Sequence, residues 1–176
     1  MNKRDRKLPA ETSVLFVCLG NICRSPAAEG IMRHIVEQRG LGNRFRIDSA
    51  GIGSWHVGQL PDRRMRACGE RHGYAFDSRA RQFCPADFDR FDYIVAMDEE
   101  NRRDLLHQAR NEGDRRKLLM MAHFLHSHPG RLLVPDPYYG DTADFELVID
   151  LLEDACDGLL DYIMENAEQQ DHSDNS

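Results

Sequence analysis

VLFVCLGNICRSPAAEG, residues 14–30, carries two periodicities with a break between them. The run SVLFVCL, residues 13–19, is continuously apolar apart from its first residue, as a strand buried on both faces requires. From Pro26 to Gly40 the spacing of Ala27, Ile31, Ile35 and Val36 is helical, with Pro26 in the first turn and Gly40 as the stop. A strand, a turn of a few residues and a helix form the opening unit of an alternating α/β fold. Outward from this unit the alternation continues. Further strands are expected over 45–51, 92–98 and within 115–125. Further helices are expected over 61–73, over 100–110 with a cap near Asp98, and over 143–167. The expected architecture is a single-domain, three-layer α/β fold, a four-stranded parallel sheet with helices on both faces.

Composition sets the class. A chain of 176 residues has the size of one domain, and 41% hydrophobic with 30% charged residues is a globular balance. No apolar run reaches the ~20 residues of a membrane span. The basic start MNKRDRK leads into polar residues and not into a signal peptide, so a cytoplasmic, membrane-free protein is expected. Residues 1–12 and 168–176 read as flexible extensions around a domain at 13–167. Five scattered cysteines suit neither a disulfide scaffold nor a zinc site; no metal and no cofactor are expected. A net charge of -7 argues against nucleic acid as a partner, and Arg63, Arg64, Arg66 and Arg71 read as a solvated helix face.

In parallel sheets the functional site lies beyond the carboxyl ends of the strands, where strand order reverses. Cys18, Ser49 and Asp98 are expected at such ends. Between Cys18 and Ser25 the backbone must turn from strand to helix, so that the N–H groups of Leu19, Gly20, Asn21, Ile22 and Cys23 can converge on one centre. Gly20 and Asn21 are the residue types that supply a left-handed backbone there. Arg24 offers a planar fork of donors for a phosphoryl-like anion. In the same field a thiol of reference pKa ~8.5 falls to roughly 3.5–7.5, which makes Cys18 a nucleophile, and Ser25 can donate to its sulfur. A lone cysteine is more often a buried, inert thiol; its neighbours Gly20, Asn21, Arg24 and Ser25 reverse that reading here. The segment has no Gly-Lys-Ser or Gly-Lys-Thr, so it is not a nucleotide-binding loop.

Cys18, five residues, Arg24 and Ser25, within CLGNICRSP, resemble the signature of the low-molecular-weight protein tyrosine phosphatases. DPYYG at 136–140 resembles the second motif of that family, and DSAGIGSWHVG, RHG, RARQF, VAMDEENRRDL and the last helix follow it in order, over about residues 13–165. The resemblance implies hydrolysis of phosphotyrosine and other aryl phosphate monoesters through a phosphocysteine. Cys18 is then the nucleophile, Arg24 and the loop amides hold the oxygens, and Asp136 serves as acid and later as base. Asp136 also stands between Pro135 and Pro137, which stiffen its segment into an extended loop. By the same resemblance Asn21 and Ser49 brace the loop, Ser25 supports the thiolate, and Trp55 and Tyr138 form aromatic walls. Many relatives carry a histidine where this chain has Ser78, which leaves the support of Ser25 unassigned. The implied partners are phosphotyrosine proteins, with phosphate or similar oxyanions as inhibitors.

Cys18 and Cys23 share one tight loop, so Cys23 is expected to guard Cys18 by a reversible disulfide. Three other readings compete. A phosphoarginine phosphatase of the family has threonine where Ile22 stands. An arsenate reductase needs two further cysteines close together downstream, where only Cys84 lies. A non-catalytic phosphate-binding module needs neither Cys18 nor Asp136.

Overall fold

The computed structural model describes residues 11–174, with side chains to residue 169; most of the expected N-terminal extension, residues 1–10, lies outside the described residues. The chain runs β1 (Thr12–Cys18), α1 (Arg24–Gln38), β2 (Phe45–Gly51), α2 (Arg63–Arg71), α3 (Asp87–Arg90), β3 (Tyr93–Ala96), α4 (Glu99–Gln108), α5 (Glu112–Arg116), β4 (Leu118–Met120) and α6 (Thr142–Asp174). The four strands form one sheet in the order β2-β1-β3-β4, and every pairing is parallel. The four-stranded parallel sheet and the helical layers stand as the sequence analysis expects.

All seven residues of β1 are buried, and their alternation divides the interior in two. Val14, Phe16 and Cys18 face a core built with α1 and α6. Leu15 and Val17 face a second core with Phe83, Phe88, Ile94 and Leu105. A strand that feeds two cores has no polar face, which is why its sequence shows no alternation. In α6 the expected apolar positions Phe145, Val148, Ile149, Leu152, Ala155, Cys156, Leu159, Leu160 and Ile163 are all buried. Each fully buried Leu, Ile, Val or Phe side chain contributes about 1.5–3 kcal/mol by leaving water.

The boundaries differ from expectation in informative ways. Helix α1 starts at Arg24, so Arg24 and Ser25 lie in its first turn and not in a loop. It stops as expected: Gly40 has a φ of 71° and donates to Glu37 O, while Leu41 donates to Val36 O at 2.8 Å. Helix α6, expected to end at 167, continues to Asp174, because no Gly or Pro in AEQQDHSD interrupts it. Ser49, expected at the end of β2, lies inside it, paired in register with Phe16. The short helices α3 and α5 carry too few residues for a periodicity and escaped the sequence reading. Among the described residues no helix is long and apolar enough to cross a membrane.

Close backbone approaches fix how the helices sit. Phe76 lies between α1 and α2 against Gly30 and Gly69, where a Cβ on either glycine would meet its ring. On α6, a Cβ at Gly158 would collide with the carbonyl oxygen of Phe124. That oxygen belongs to backbone and cannot swing aside. Gly158→Ala is therefore expected to lower unfolding stability in urea by about 1–3 kcal/mol, despite the better helix propensity of alanine; an unchanged or raised midpoint would refute this packing.

Candidate active site

With β1 in the centre and the chain passing first to β2 and later to β3, the strand order reverses at the carboxyl end of β1. Cys18 is the last residue of that strand and Arg24 the first of the following helix. The five residues between them bend into a cradle. Asn21 sits at its apex with a φ of 58°, the only positive φ among described non-glycine residues. The cradle's carbonyls are drawn outward: Cys18 O accepts from Ile52 N at 3.0 Å, Leu19 O from Gly53 N at 2.9 Å and Ile22 O from Asp62 N at 2.7 Å. The N–H groups of Gly20, Asn21, Ile22 and Cys23 make no such backbone bond among the described residues. Outward carbonyls and uncommitted amides form an anion nest.

Behind the cradle lies a buried hydrogen-bond network. Asn21 Oδ1 accepts from the backbone N–H of Arg81 at 3.0 Å, which fixes the amide's orientation. Asn21 Nδ2 then donates to Ser25 Oγ at 2.8 Å and to Ser49 Oγ at 2.9 Å. Ser25 Oγ lies 3.0 Å from Cys18 Sγ and 3.4 Å from Ala50 O, and Ser49 Oγ donates to Glu29 Oε1 at 2.7 Å. Asn21 thus supplies the support for Ser25. Ser78 lines a separate cavity together with Glu29 and Arg33.

Arg24 is 2% exposed. Its Nη1 donates to Asp98 Oδ2 at 2.6 Å and to Val134 O at 3.0 Å, and its Nη2 lies 3.6 Å from Asp136 Oδ2. Burial opposes the guanidinium's charge, but the neighbouring Cys18 sulfur, the hydrogen bond to Asp98 and the carboxylates of Asp98 and Asp136 outweigh it and hold the pKa above the ordinary value. Arg24 Nε is buried and has no partner among the described residues. Asp98 does double service, since its Oδ1 caps α4 at Asn101 N, 2.8 Å away.

Cys18, Leu19, Gly20, Ile22, Cys23 and Arg24 line one end of a cavity of about 320 Å³, and Trp55, His56, Asp136, Tyr138 and Tyr139 line the rest. Val134, whose N–H donates to Met97 O at 2.9 Å, roots the segment that carries Asp136. Tyr138 N donates back to Asp136 Oδ1 at 3.2 Å. Trp55 is 67% exposed; its ring lies over Gly53, in the space a Cβ would fill. Cys23 is buried, and burial, then Asp62, Cys18 and Asp136, push its thiol well above the ordinary range. Cys68 and Cys156 are buried in α2 and α6, away from this cavity, and Cys84 does not line it.

The structure brings together Cys18, Arg24, Asp136, Trp55 and Tyr138 around the cavity, with Asn21, Ser25 and Ser49 behind it. Sequence reasoning missed His56 and Tyr139 as walls. It also missed Arg64, which donates to Asp62 Oδ2 and to Tyr138 O, each at 2.9 Å, and Glu29, which is 2% exposed. A signal for Glu29 was present: it stands four residues after Ser25 and three before Met32, so a carboxylate falls on the buried stripe of α1.

A family model described as low molecular weight phosphotyrosine protein phosphatase matches residues 13–170. A protein of Synechocystis sp. with a provisional low molecular weight protein-tyrosine-phosphatase name is 53% identical over 147 residues, 84% of this chain and 93% of its own length. A crystal structure of a protein tyrosine phosphatase from Entamoeba histolytica with Hepes in the active site superposes with a TM-score of 0.86 at 44% identity, covering 89% of this chain and 99% of that one. A Drosophila arginine phosphatase superposes with a TM-score of 0.79 at 33% identity, covering 85% and 96% of the two chains.

The closeness of β2 to the cradle is directly testable. A Cβ at Gly51 would stand 2.9 Å from Gly20 C and 3.0 Å from Asn21 N. Gly51→Ala is expected to push the amides out of position and weaken any binding of inorganic phosphate about ten-fold or more. Unchanged phosphate binding would show that Gly51 does not set the cradle's shape.

Proposed function

The chain belongs to the low molecular weight phosphotyrosine protein phosphatase family, and from that premise we propose that its cavity hydrolyses aryl phosphate monoesters, phosphotyrosine in proteins above all, through a phosphocysteine on Cys18. The observation that carries this reading is Arg24. A buried guanidinium has spent Nη1 on Asp98 and Val134 and keeps Nε without a partner beside Cys18 and a set of uncommitted amides. A buried donor without a partner costs about 1–3 kcal/mol, and an oxyanion in the cradle removes that cost.

The chemistry follows from the residues. The Cys18 thiolate attacks phosphorus, the bond from phosphorus to the phenolic oxygen breaks, and Asp136, entering with its proton, gives it to that oxygen. Arg24 and the amides hold the other three oxygens as charge redistributes. In the second step Asp136 takes a proton from water, the water oxygen bonds to phosphorus, and the P–S bond breaks. Because Ser25 Oγ already accepts from Asn21, its own proton is available to the departing sulfur. Trp55 and Tyr138 give the phenyl ring its walls.

Two variants separate the roles. Cys18→Ser is expected to lose turnover and still bind phosphate. Asp136→Ala is expected to slow hydrolysis of a poor leaving group by roughly 10²–10⁴-fold, and much less for an activated phenol. Equal losses on both substrates would remove Asp136 from proton transfer.

The fold shared with an arginine phosphatase gives a second reading, phosphoarginine hydrolysis at the same cysteine. Ile22 speaks against it. The residue lines the cavity with a β-branched apolar side chain and offers no hydroxyl to a guanidinium leaving group. The expected outcome is a kcat/KM ratio favouring phosphotyrosine over phosphoarginine that shifts toward phosphoarginine in Ile22→Thr; a parent enzyme that prefers phosphoarginine would reverse the assignment.

A further inference from the structure

Glu29 has no task in the mechanism above, yet it is a buried carboxylate, 2% exposed, bonded directly to one of the serines behind the cradle. Its Oε1 accepts the Ser49 hydroxyl at 2.7 Å, and its Oε2 pairs with Arg33 Nη1 at 3.0 Å. Arg33 is itself anchored, through Nη2, to Ile47 O at 2.8 Å. A carboxylate out of water is costly and persists only with such partners.

The direction of each hydrogen bond can be counted out from this end. An ionised Glu29 accepts only, so Ser49 must spend its single proton on it. Ser49 Oγ is then left with lone pairs, and one receives a hydrogen of Asn21 Nδ2. The other Nδ2 hydrogen goes to Ser25 Oγ. Ser25 in turn has one proton to place, and Cys18 Sγ at 3.0 Å is nearer than Ala50 O at 3.4 Å. Without Glu29, the Ser49 proton has no acceptor among these groups and competes with Asn21, and the amide is no longer held with both hydrogens engaged.

We propose that Glu29 is a positioning residue that accepts the hydrogen bond of the Ser49 hydroxyl and so locks Asn21 and Ser25 with the Ser25 hydroxyl turned onto the Cys18 sulfur. The proposal rests on the assignment of Cys18 as nucleophile, but not on the identity of the substrate. Through Arg33, which is half exposed, the lock also connects the floor of the site to the outer face of α1.

The test uses the full-length protein and two readouts: kcat and KM for an aryl phosphate, and the rate of Cys18 alkylation by iodoacetate at one fixed pH. Glu29→Ala is expected to lower kcat and the alkylation rate about 10-fold or more, with KM changed far less. Ser49→Ala cuts the link while leaving Glu29 paired with Arg33 and should do the same. The double variant should be no worse than the poorer single one, because both act through one chain of bonds. Glu29→Gln, which keeps an oxygen acceptor for Ser49, should retain about half or more of the parental kcat. Parental kcat and alkylation in Glu29→Ala, losses that multiply in the double variant, or a loss confined to KM would overturn the proposal. Should Glu29→Ala fail to fold, Ser49→Ala with parental alkylation overturns it alone. Alkylation involves no phosphate ester, so a chain inactive on phosphotyrosine whose variants still show the alkylation loss would refute the substrate assignment and leave this one standing.

Discussion

One guanidinium ties together the parts of this site that come from distant stretches of chain. Arg24 opens α1, and with a single nitrogen it reaches the cap of α4 at Asp98 and the carbonyl of Val134, 110 residues downstream. Val134 is in turn bonded to Met97 at the end of β3. The cradle, the third strand's end and the segment bearing Asp136 therefore share one rigid point. A charge with 2% exposure would be a severe liability without those partners, and with them it becomes the reference from which the other distances are set.

The second constraint is directional. Asn21 adopts a backbone conformation that costs an L residue energy, and the return is an amide whose oxygen and both hydrogens are engaged: an acceptor for Arg81 N and donors for Ser25 and Ser49. Glycine could take the same φ but could not hold the two serines. The strain at residue 21 and the order of the protons behind Cys18 are thus one feature seen from two sides.

Much of this was legible in the sequence because its signals are local. The strand and helix on either side of Cys18 announce themselves by their periods, and the stripe on α6 lands on buried positions throughout. The turn residues and the arginine declared an anion cradle, and Pro135 and Pro137 marked Asp136 as a presented carboxylate. What stayed hidden depends on contacts across the fold. Ser49 was expected at the end of β2, but although the strand's bounds were read correctly at 45–51, the serine lies two residues inside them, and only its pairing with Phe16 shows which side chains it reaches. Ser78 left Ser25 unassigned because the serine's bond to Asn21 depends on an amide fixed by Arg81, 60 residues away. His56 and Tyr139 look like ordinary loop residues until the chain folds them around one cavity. Arg64 was indistinguishable from its basic neighbours on α2, of which it alone reaches Tyr138 O.

That arginine gives the two halves of the site unequal sensitivity to their surroundings. Arg64 holds the backbone of Tyr138 and pairs with Asp62, whose N–H holds Ile22 O; its own side chain is 46% exposed. Its guanidinium also lies over two rings, 5.5 Å from the centre of Tyr138 and 4.7 Å from that of Phe145. Dissolved ions weaken an exposed pair of this kind, whereas the pair of Arg24 and Asp98, with Arg24 2% exposed, is screened much less. A change in salt therefore bears on the clasp between α2 and the segment carrying the acid more than on the anchor at Arg24.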